Sequence, residues 1–212
     1  MSESKVASLR EYYSAKVRQY GATPAGVDWS NSDGQLMRFG RFLPLLESEK
    51  RSSFSVLDFG CGYGALVDFL TESSDREFQY TGIDLSREML EAGRKRFISR
   101  PNVEFLDRLE EHCAYDFVVA SGVFNVRLEN EIDDWEIYVR QTMRELFRIA
   151  AVGMSINFLS NGPHLTRRDD HLFYQSPGQL VQFVSEEISP LMFLDQSYSP
   201  WEFTISVLKA PR

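Results

Sequence analysis

An α/β fold, with an open and mostly parallel sheet covered by helices on both faces, is predicted by three features of the chain. From residue 54 onward, short apolar runs alternate with stretches of helical period. The first run leads into "VLDFGCGYGALVDFL", Val56 to Leu70, where Gly60, Gly62 and Gly64 stand at alternate positions. Two later runs joined by "YSP" break the alternation and read as antiparallel neighbours.

Each element follows from its residues. Residues 4–20 carry Tyr12, Tyr13 and Val17 on one side of a helix, and the Gly- and Pro-punctuated "GATPAGVDWSNSDG" after them is a loop. In "QLMRFGRFLPLLES" the apolar residues recur at the spacing of one helix, which Pro44 is expected to kink because it has no N–H to give. "FSVLDF" is a buried strand ending at the glycines, followed by a helix over "YGALVDFLTES". "FQYTGIDL" is the second strand; the helix after it starts at Ser86 as N-cap, with Glu88 in its first turn. "NVEFL" and "YDFVVASG" are strands three and four. Residues 129–149 form a long helix, with Ile132, Trp135, Val139, Met143 and Leu146 at spacings of 3, 4, 4 and 3. "AVGMSINFL" is strand five, residues 160–175 are a polar loop, and Ser176, Pro177 and Gln179 open the last helix as a capping box. "PLMFLDQS" and "WEFTISVLK" complete the sheet, the latter alternating Trp201, Phe203, Ile205 and Val207 with Glu202, Thr204 and Ser206.

Composition excludes several classes of function. The chain has 212 residues, 43% hydrophobic and 25% charged, as in ordinary globular domains. A net charge of −8 argues against a nucleic-acid partner, since such binding rests on clustered Lys and Arg. The short basic stretch "GRKRF" is a solvated helix face. The opening residues have no apolar h-region, and no stretch approaches the ~18 apolar residues of a membrane span. A cytoplasmic location and no membrane contact are therefore expected. Cys61 and Cys113 stand in no metal-ligand or disulfide pattern, so no metal is expected.

The glycine turn points to a ligand. In an open α/β sheet the ligand lies beyond the carboxyl ends of the strands, beside strand one. Glycine there permits positive φ and close backbone approach. Gly60, Gly62 and Ala65 also fit the dinucleotide pattern G-x-G-x-x-[GA], but Asp58 at the strand exit would repel a diphosphate and attract an ammonium. Asp84, ending strand two, is placed for ribose hydroxyls, and Asp107, after strand three, for an adenine amino group. The ligand so described has an ammonium, a ribose and an adenine, and no phosphate.

These residues resemble the class I S-adenosylmethionine-dependent methyltransferases. "VLDFGCGYG" is similar to the family's first motif, "YTGIDLSREML" to its second and "YDFVVASGVF" to its fourth. The resemblance implies a Rossmann-like, doubly wound seven-stranded sheet, order 3-2-1-4-5-7-6 with strand seven antiparallel. It also implies S-adenosyl-L-methionine as methyl donor, S-adenosyl-L-homocysteine as product and no metal. By it, Asp58 and the backbone of Gly60, Cys61, Gly62 and Gly64 hold the methionine part, Asp84 the ribose and Asp107 the adenine; Leu85, Met89 and Ser121 are further cofactor-binding candidates, and Arg38, on the helix before strand one, is placed to pair with the methionine carboxylate. Residues 1–50 would form a helical cap and 51–212 the core. The N-terminal block and the ending "YSPWEFTISVLK" are also similar to a bacterial subgroup acting on small molecules.

Methyl transfer needs alignment and exclusion of water more than a fixed catalytic residue. "ASGVFNV" after strand four lacks the [N/D]-P-P-[Y/F] of enzymes that methylate amino groups of nucleic acids. A small-molecule acceptor, taking the methyl at oxygen or nitrogen, is expected. Tyr12, Tyr20, Asp28 and Trp29 of the cap, and His164, Arg167, Arg168, His171 and Tyr174 of the loop after strand five, are placed to meet it, with His171, His164 and Tyr174 as candidate catalytic groups. A nicotinamide-dependent oxidoreductase and a non-catalytic adaptor that keeps the adenosyl fold are the rival readings.

Overall fold

The computed structural model describes residues 3–29, 31–109, 113–162 and 168–210. Seven strands form one sheet: β1 (Ser53–Phe59), β2 (Glu77–Ile83), β3 (Val103–Leu106), β4 (Tyr115–Ser121), β5 (Ala150–Leu159), β6 (Met192–Asp195) and β7 (Glu202–Leu208). Their order is β3-β2-β1-β4-β5-β7-β6. The first five strands pair in parallel, and β7 runs antiparallel to both β5 and β6. This is the strand order, with an antiparallel seventh strand, that the family resemblance implied. The winding reverses between β1 and β4, and a crevice opens there at the strands' carboxyl ends.

The helices are α1 (Glu3–Tyr20), α2 (Ser32–Gly40), α3 (Leu43–Leu46), α4 (Ala65–Ser73), α5 (Arg87–Arg96), α6 (Ile132–Ile149) and α7 (Pro177–Glu187). Neighbouring residues of a strand point to opposite faces, so Leu57, Val118 and Ile156 enter one core with Leu9 of α1, Val139 of α6 and Val184 of α7. Val56, Phe117 and Val119 enter the other, with Phe39 of α2, Leu45 of α3, Leu70 of α4 and Leu90 of α5. Both faces of the central strands are covered, as near-continuous apolar runs require.

Three expectations are corrected. The helix predicted over residues 35–48 is two helices, because Pro44 cannot donate back to the Gly40 carbonyl and the chain turns at Arg41 and Phe42 with tighter bonds to Arg38 and Phe39. The polar positions of β7 do not face water: Thr204 and Ser206 are buried, and the Ser206 hydroxyl lies 2.7 Å from that of Ser155 on β5. Trp201, assigned to the apolar face of β7, precedes the strand and is 54% exposed, because the turn carries its side chain off the sheet.

Helix α1 and the short turn Pro24–Val27 sit over the sheet's carboxyl edge. The Ser14 hydroxyl lies 3.0 Å from Ser86 and donates to Glu88 at 2.7 Å, which ties α1 to the start of α5. Val17 packs against Tyr63 and Met89. The Thr23 side chain caps the Pro24–Val27 turn, and Asn31 caps α2 by accepting from Gly34 N–H at 2.8 Å.

Gly64, the N-cap of α4, has φ +83°, and a Cβ there would lie 2.6 Å from Phe105 Cζ. Gly64→Ala is expected to cost about 2–4 kcal/mol through left-handed strain and overpacking. Gly178→Ala, on α7 with open space around it, is expected to be neutral or to stabilise by about 0.5 kcal/mol. Urea unfolding midpoints of the two variants check both.

Candidate functional site

The turn from β1 into α4 is made by Gly60, Gly62 and Gly64, all with positive φ (77°, 54° and 83°). A Cβ on Gly60 would strike Val123, and one on Gly62 would lie 2.7 Å from Val27 Cγ1. The glycines are thus required by the protein's own packing as well as by its backbone angles. The turn spends its donors internally: Gly60 and Cys61 N–H donate to the Ile83 carbonyl at 2.7 and 2.9 Å, Gly64 N–H to the Cys61 carbonyl at 3.0 Å, and Gly62 N–H to Asp84 Oδ2 at 2.8 Å. A diphosphate laid on this turn would find these four N–H groups taken and a carboxylate beside it. That disfavours the dinucleotide reading on physical grounds.

A cavity of about 420 Å³ opens beside the turn, within the range of small-molecule sites. Its wall brings together Arg38, Asp58, Gly60, Cys61, Gly62, Asp84, Leu85, Met89, Ser121 and His171, ten residues singled out in the sequence. Asp58 ends β1 with only 4% exposure, and one of its oxygens accepts from the Tyr80 hydroxyl at 2.7 Å. Burial, opposed by the Tyr80 bond and helped by the Asp84 charge, pushes its carboxyl up to about 7. Asp84 is also pushed up by burial, opposed by hydrogen bonds from the Ser86 and Gly62 N–H groups. Two carboxyl groups, Asp58 buried and Asp84 half-buried, share one wall, an arrangement that attracts a cation. The buried Ser121 hydroxyl, on the same wall, has no protein partner. Cys61 is a buried thiol, pushed well up by burial and by Asp84 and Asp58, and it fills the turn.

Other candidates fall elsewhere. Gly64 is off the cavity wall, behind Phe105. Asp107 is exposed, off the wall at the end of β3. Tyr174 is also off the wall; its hydroxyl accepts from Asp169 N–H at 3.1 Å. His164 and Arg167 lie outside the described residues. Arg38 reaches the wall, but its guanidinium makes a two-pronged ion pair with Glu202 at the start of β7, donates to the Gly34 carbonyl at 2.6 Å and stacks on Trp29 at 4.0 Å. It meets any ligand carboxylate only beside or in exchange for Glu202.

His171 is set by backbone bonds. Its carbonyl accepts from Arg127 and Leu128 N–H at 2.9 and 3.0 Å, and Phe173 N–H donates to the Asn125 carbonyl at 2.8 Å. Asn125 Oδ1 in turn accepts from Leu159 N–H at 3.2 Å, joining the loop after β4 to the end of β5. Of the cap residues, Asp28 and Trp29 reach the wall, Asp28 with the Tyr12 hydroxyl donating to it and Lys16 paired at 2.6 Å. Sequence reasoning missed Tyr138, Leu172, Asn125 and Glu202 on the wall, and it read Trp135 only as core. Tyr138 stands three residues after Trp135 on α6, a spacing that places both on one helix face and was the available signal.

The chain's likenesses agree with this geometry. Residues 57–148 match a methyltransferase domain model. A Mycobacterium tuberculosis protein named "Putative methyltransferase Rv1506c" is 37% identical over 157 residues, which cover 74% of this chain and 94% of that one. Malonyl-[acyl-carrier protein] O-methyltransferase of Acetivibrio thermocellus is 26% identical over 152 residues, 70% of this chain and 49% of that longer one. Among solved structures, magnesium protoporphyrin IX methyltransferase from Synechocystis, with bound S-adenosylhomocysteine, superposes with a TM-score of 0.68 at 12% identity, covering 96% of this chain and 99% of that one. That likeness carries the fold.

Asp58→Asn removes a carboxylate whose pKa is raised in the folded state, while an amide oxygen can still accept from Tyr80. Because the folded chain holds a proton between the ordinary 3.8 and about 7 that the unfolded chain has released, the wild type loses stability as pH rises through that window. The variant is expected to match wild type near pH 4 and to exceed it at pH 8 by about 1–4 kcal/mol, as one to three pKa units imply. Chemical denaturation at the two pH values, without ligand, measures the difference.

Proposed function

Because this chain belongs to the class I S-adenosylmethionine-dependent methyltransferases, we propose that it transfers the methyl group to an oxygen or nitrogen of a small molecule. The observation that carries this reading is the glycine turn whose donors are consumed internally while Asp58 and Asp84 line the cavity beside it. The donor set fits an ammonium and a sulfonium better than a phosphate. When bound, S-adenosylmethionine supplies an electrophilic methyl carbon on a positively charged sulfur.

The chain's own groups divide the work as follows. Asp58 and the Gly60–Gly62 backbone hold the amino-acid part, with Arg38 and Ser121 nearby for its carboxylate. Asp84, Leu85 and Met89 bound the ribose and adenine side, with Asp107 at the adjacent strand end. Helix α1 and the Pro24–Trp29 segment act as the cap and exclude water, which strengthens every charge interaction beneath them. His171 stands at the cavity wall, where an imidazole can take a proton from an acceptor hydroxyl. Acceptors that arrive as neutral amines need no such base before transfer.

Isothermal titration is expected to give micromolar-range binding of adenosylhomocysteine and none of NAD or NADP; the reverse pattern would replace this function with the oxidoreductase reading. Asp58→Ala and Asp84→Ala should each abolish that binding. With an acceptor in hand, His171→Ala is expected to lower kcat by about 10²–10⁴ for a hydroxyl acceptor and to remove one limb of the pH–rate profile. An unchanged profile would show that His171 is not the base.

A further inference from the structure

Part of the cavity is unlike the carboxylate-bearing wall. Leu9 and Tyr13 of α1, Val126 of the loop after β4, Trp135 and Tyr138 of α6 and Leu172 line it. The Trp135 and Tyr138 rings lie 5.1 Å apart, the Tyr138 ring meets Phe124 edge-on at 6.1 Å, and Phe124 stacks on Phe158 at 5.7 Å. The aromatic wall is therefore continuous with the core and is built before any ligand arrives. Trp135 is fixed further by its ring N–H, which donates to the Phe124 carbonyl at 3.0 Å.

Charge complementarity narrows what fits there. Among the described residues, the basic side chains on the cavity wall are Arg38 and His171, and Arg38 is bound to Glu202. Lys16, close to the cap, is held by Asp28 at 2.6 Å. The carboxyl groups on the wall are those of Asp28, Asp58, Asp84 and Glu202, of which Asp28 is paired with Lys16 and Glu202 with Arg38. An anionic acceptor would be repelled by these and, among the described residues, would find Arg38 and Lys16 already paired, whereas a neutral ring would bury apolar area against rigid rings. Burial, the Asp28 charge, the neighbouring Tyr12 and the Asp84 charge push the Tyr13 phenol up, so it remains a hydrogen-bond donor.

Resting on the methyltransferase reading above, we propose that the acceptor is an uncharged, planar aromatic alcohol, seated between α1 and α6 with its hydroxyl toward the glycine turn and His171. In the transfer, the acceptor oxygen gains the methyl and loses its proton to the His171 imidazole, while the donor sulfur keeps the electron pair of the broken bond. Acids and phosphates of the same ring size are discriminated against by the surrounding carboxylates.

The test compares 2-naphthol with 2-naphthoate, two probes of one ring system that differ in charge, each titrated into the full chain with and without adenosylhomocysteine. We expect 2-naphthol to bind at least about tenfold more tightly, since the acid must be buried unpaired. Leu172→Lys, at a half-buried position where lysine can reach solvent, is expected to weaken 2-naphthol and strengthen 2-naphthoate. Equal or tighter binding of 2-naphthoate by the wild type would overturn the proposal. So would failure of both probes while adenosylhomocysteine binds, or 2-naphthol binding that ignores Leu172→Lys. If that variant does not fold, the wild-type comparison still decides. Adenosylhomocysteine titrated alone reads the donor site, so its failure would sink the proposed function separately.

Discussion

The turn after β1 is the constraint on which the site depends. Three of the five residues centred on Gly62 hold positive φ, a conformation that side chains rarely adopt, and the chain can pass this way only because Cβ atoms are missing. What occupies the vacated space is protein: Val123 beside Gly60, Val27 beside Gly62 and Phe105 beside Gly64. The turn therefore locks together the loop after β4, the cap and β3. Its N–H groups close onto Ile83, Cys61 and Asp84, so β1 and β2 deliver their terminal carboxylates to one wall in a fixed relation.

That relation has an electrostatic consequence. Asp58 is buried and Asp84 half-buried, and loss of solvent raises the pKa of each. A carboxylate kept in this state destabilises the empty protein and is relieved by a cation, so stability and binding oppose each other at the same atoms. Arg38 does not relieve it, because its guanidinium is engaged by Glu202. The pair instead fastens α2 to β7 across 164 residues of sequence, and Trp29 of the cap rests on the same guanidinium.

Helix α1 and the loop around His171 are held beside the crevice by different means. Helix α1 is fastened to α5 through Ser14, Ser86 and Glu88, and its Leu9 enters the core. The segment of His171 is fastened by main-chain bonds to Arg127, Leu128 and Asn125, which fix its path whatever its side chains are. Such bonds leave no trace in composition or periodicity.

The sequence by itself determined the order of elements, the switch point and the carboxylates beside the glycine turn, because strand and helix periods and glycine spacing are local properties of the chain. It also marked Pro44 as a kink, a missing N–H being visible in one residue, while the break itself falls before it at Arg41 and Phe42. Only the tertiary structure decided that Thr204 and Ser206 are buried, that Arg38 answers to Glu202, and that Tyr138 and Leu172 share a wall with Asp58. Those facts depend on which distant elements cover a face, and neither a local period nor a single side chain carries that information. The acceptor side of the cavity belongs to this second kind, since α1, α6 and the His171 loop meet there only once the sheet has brought them together.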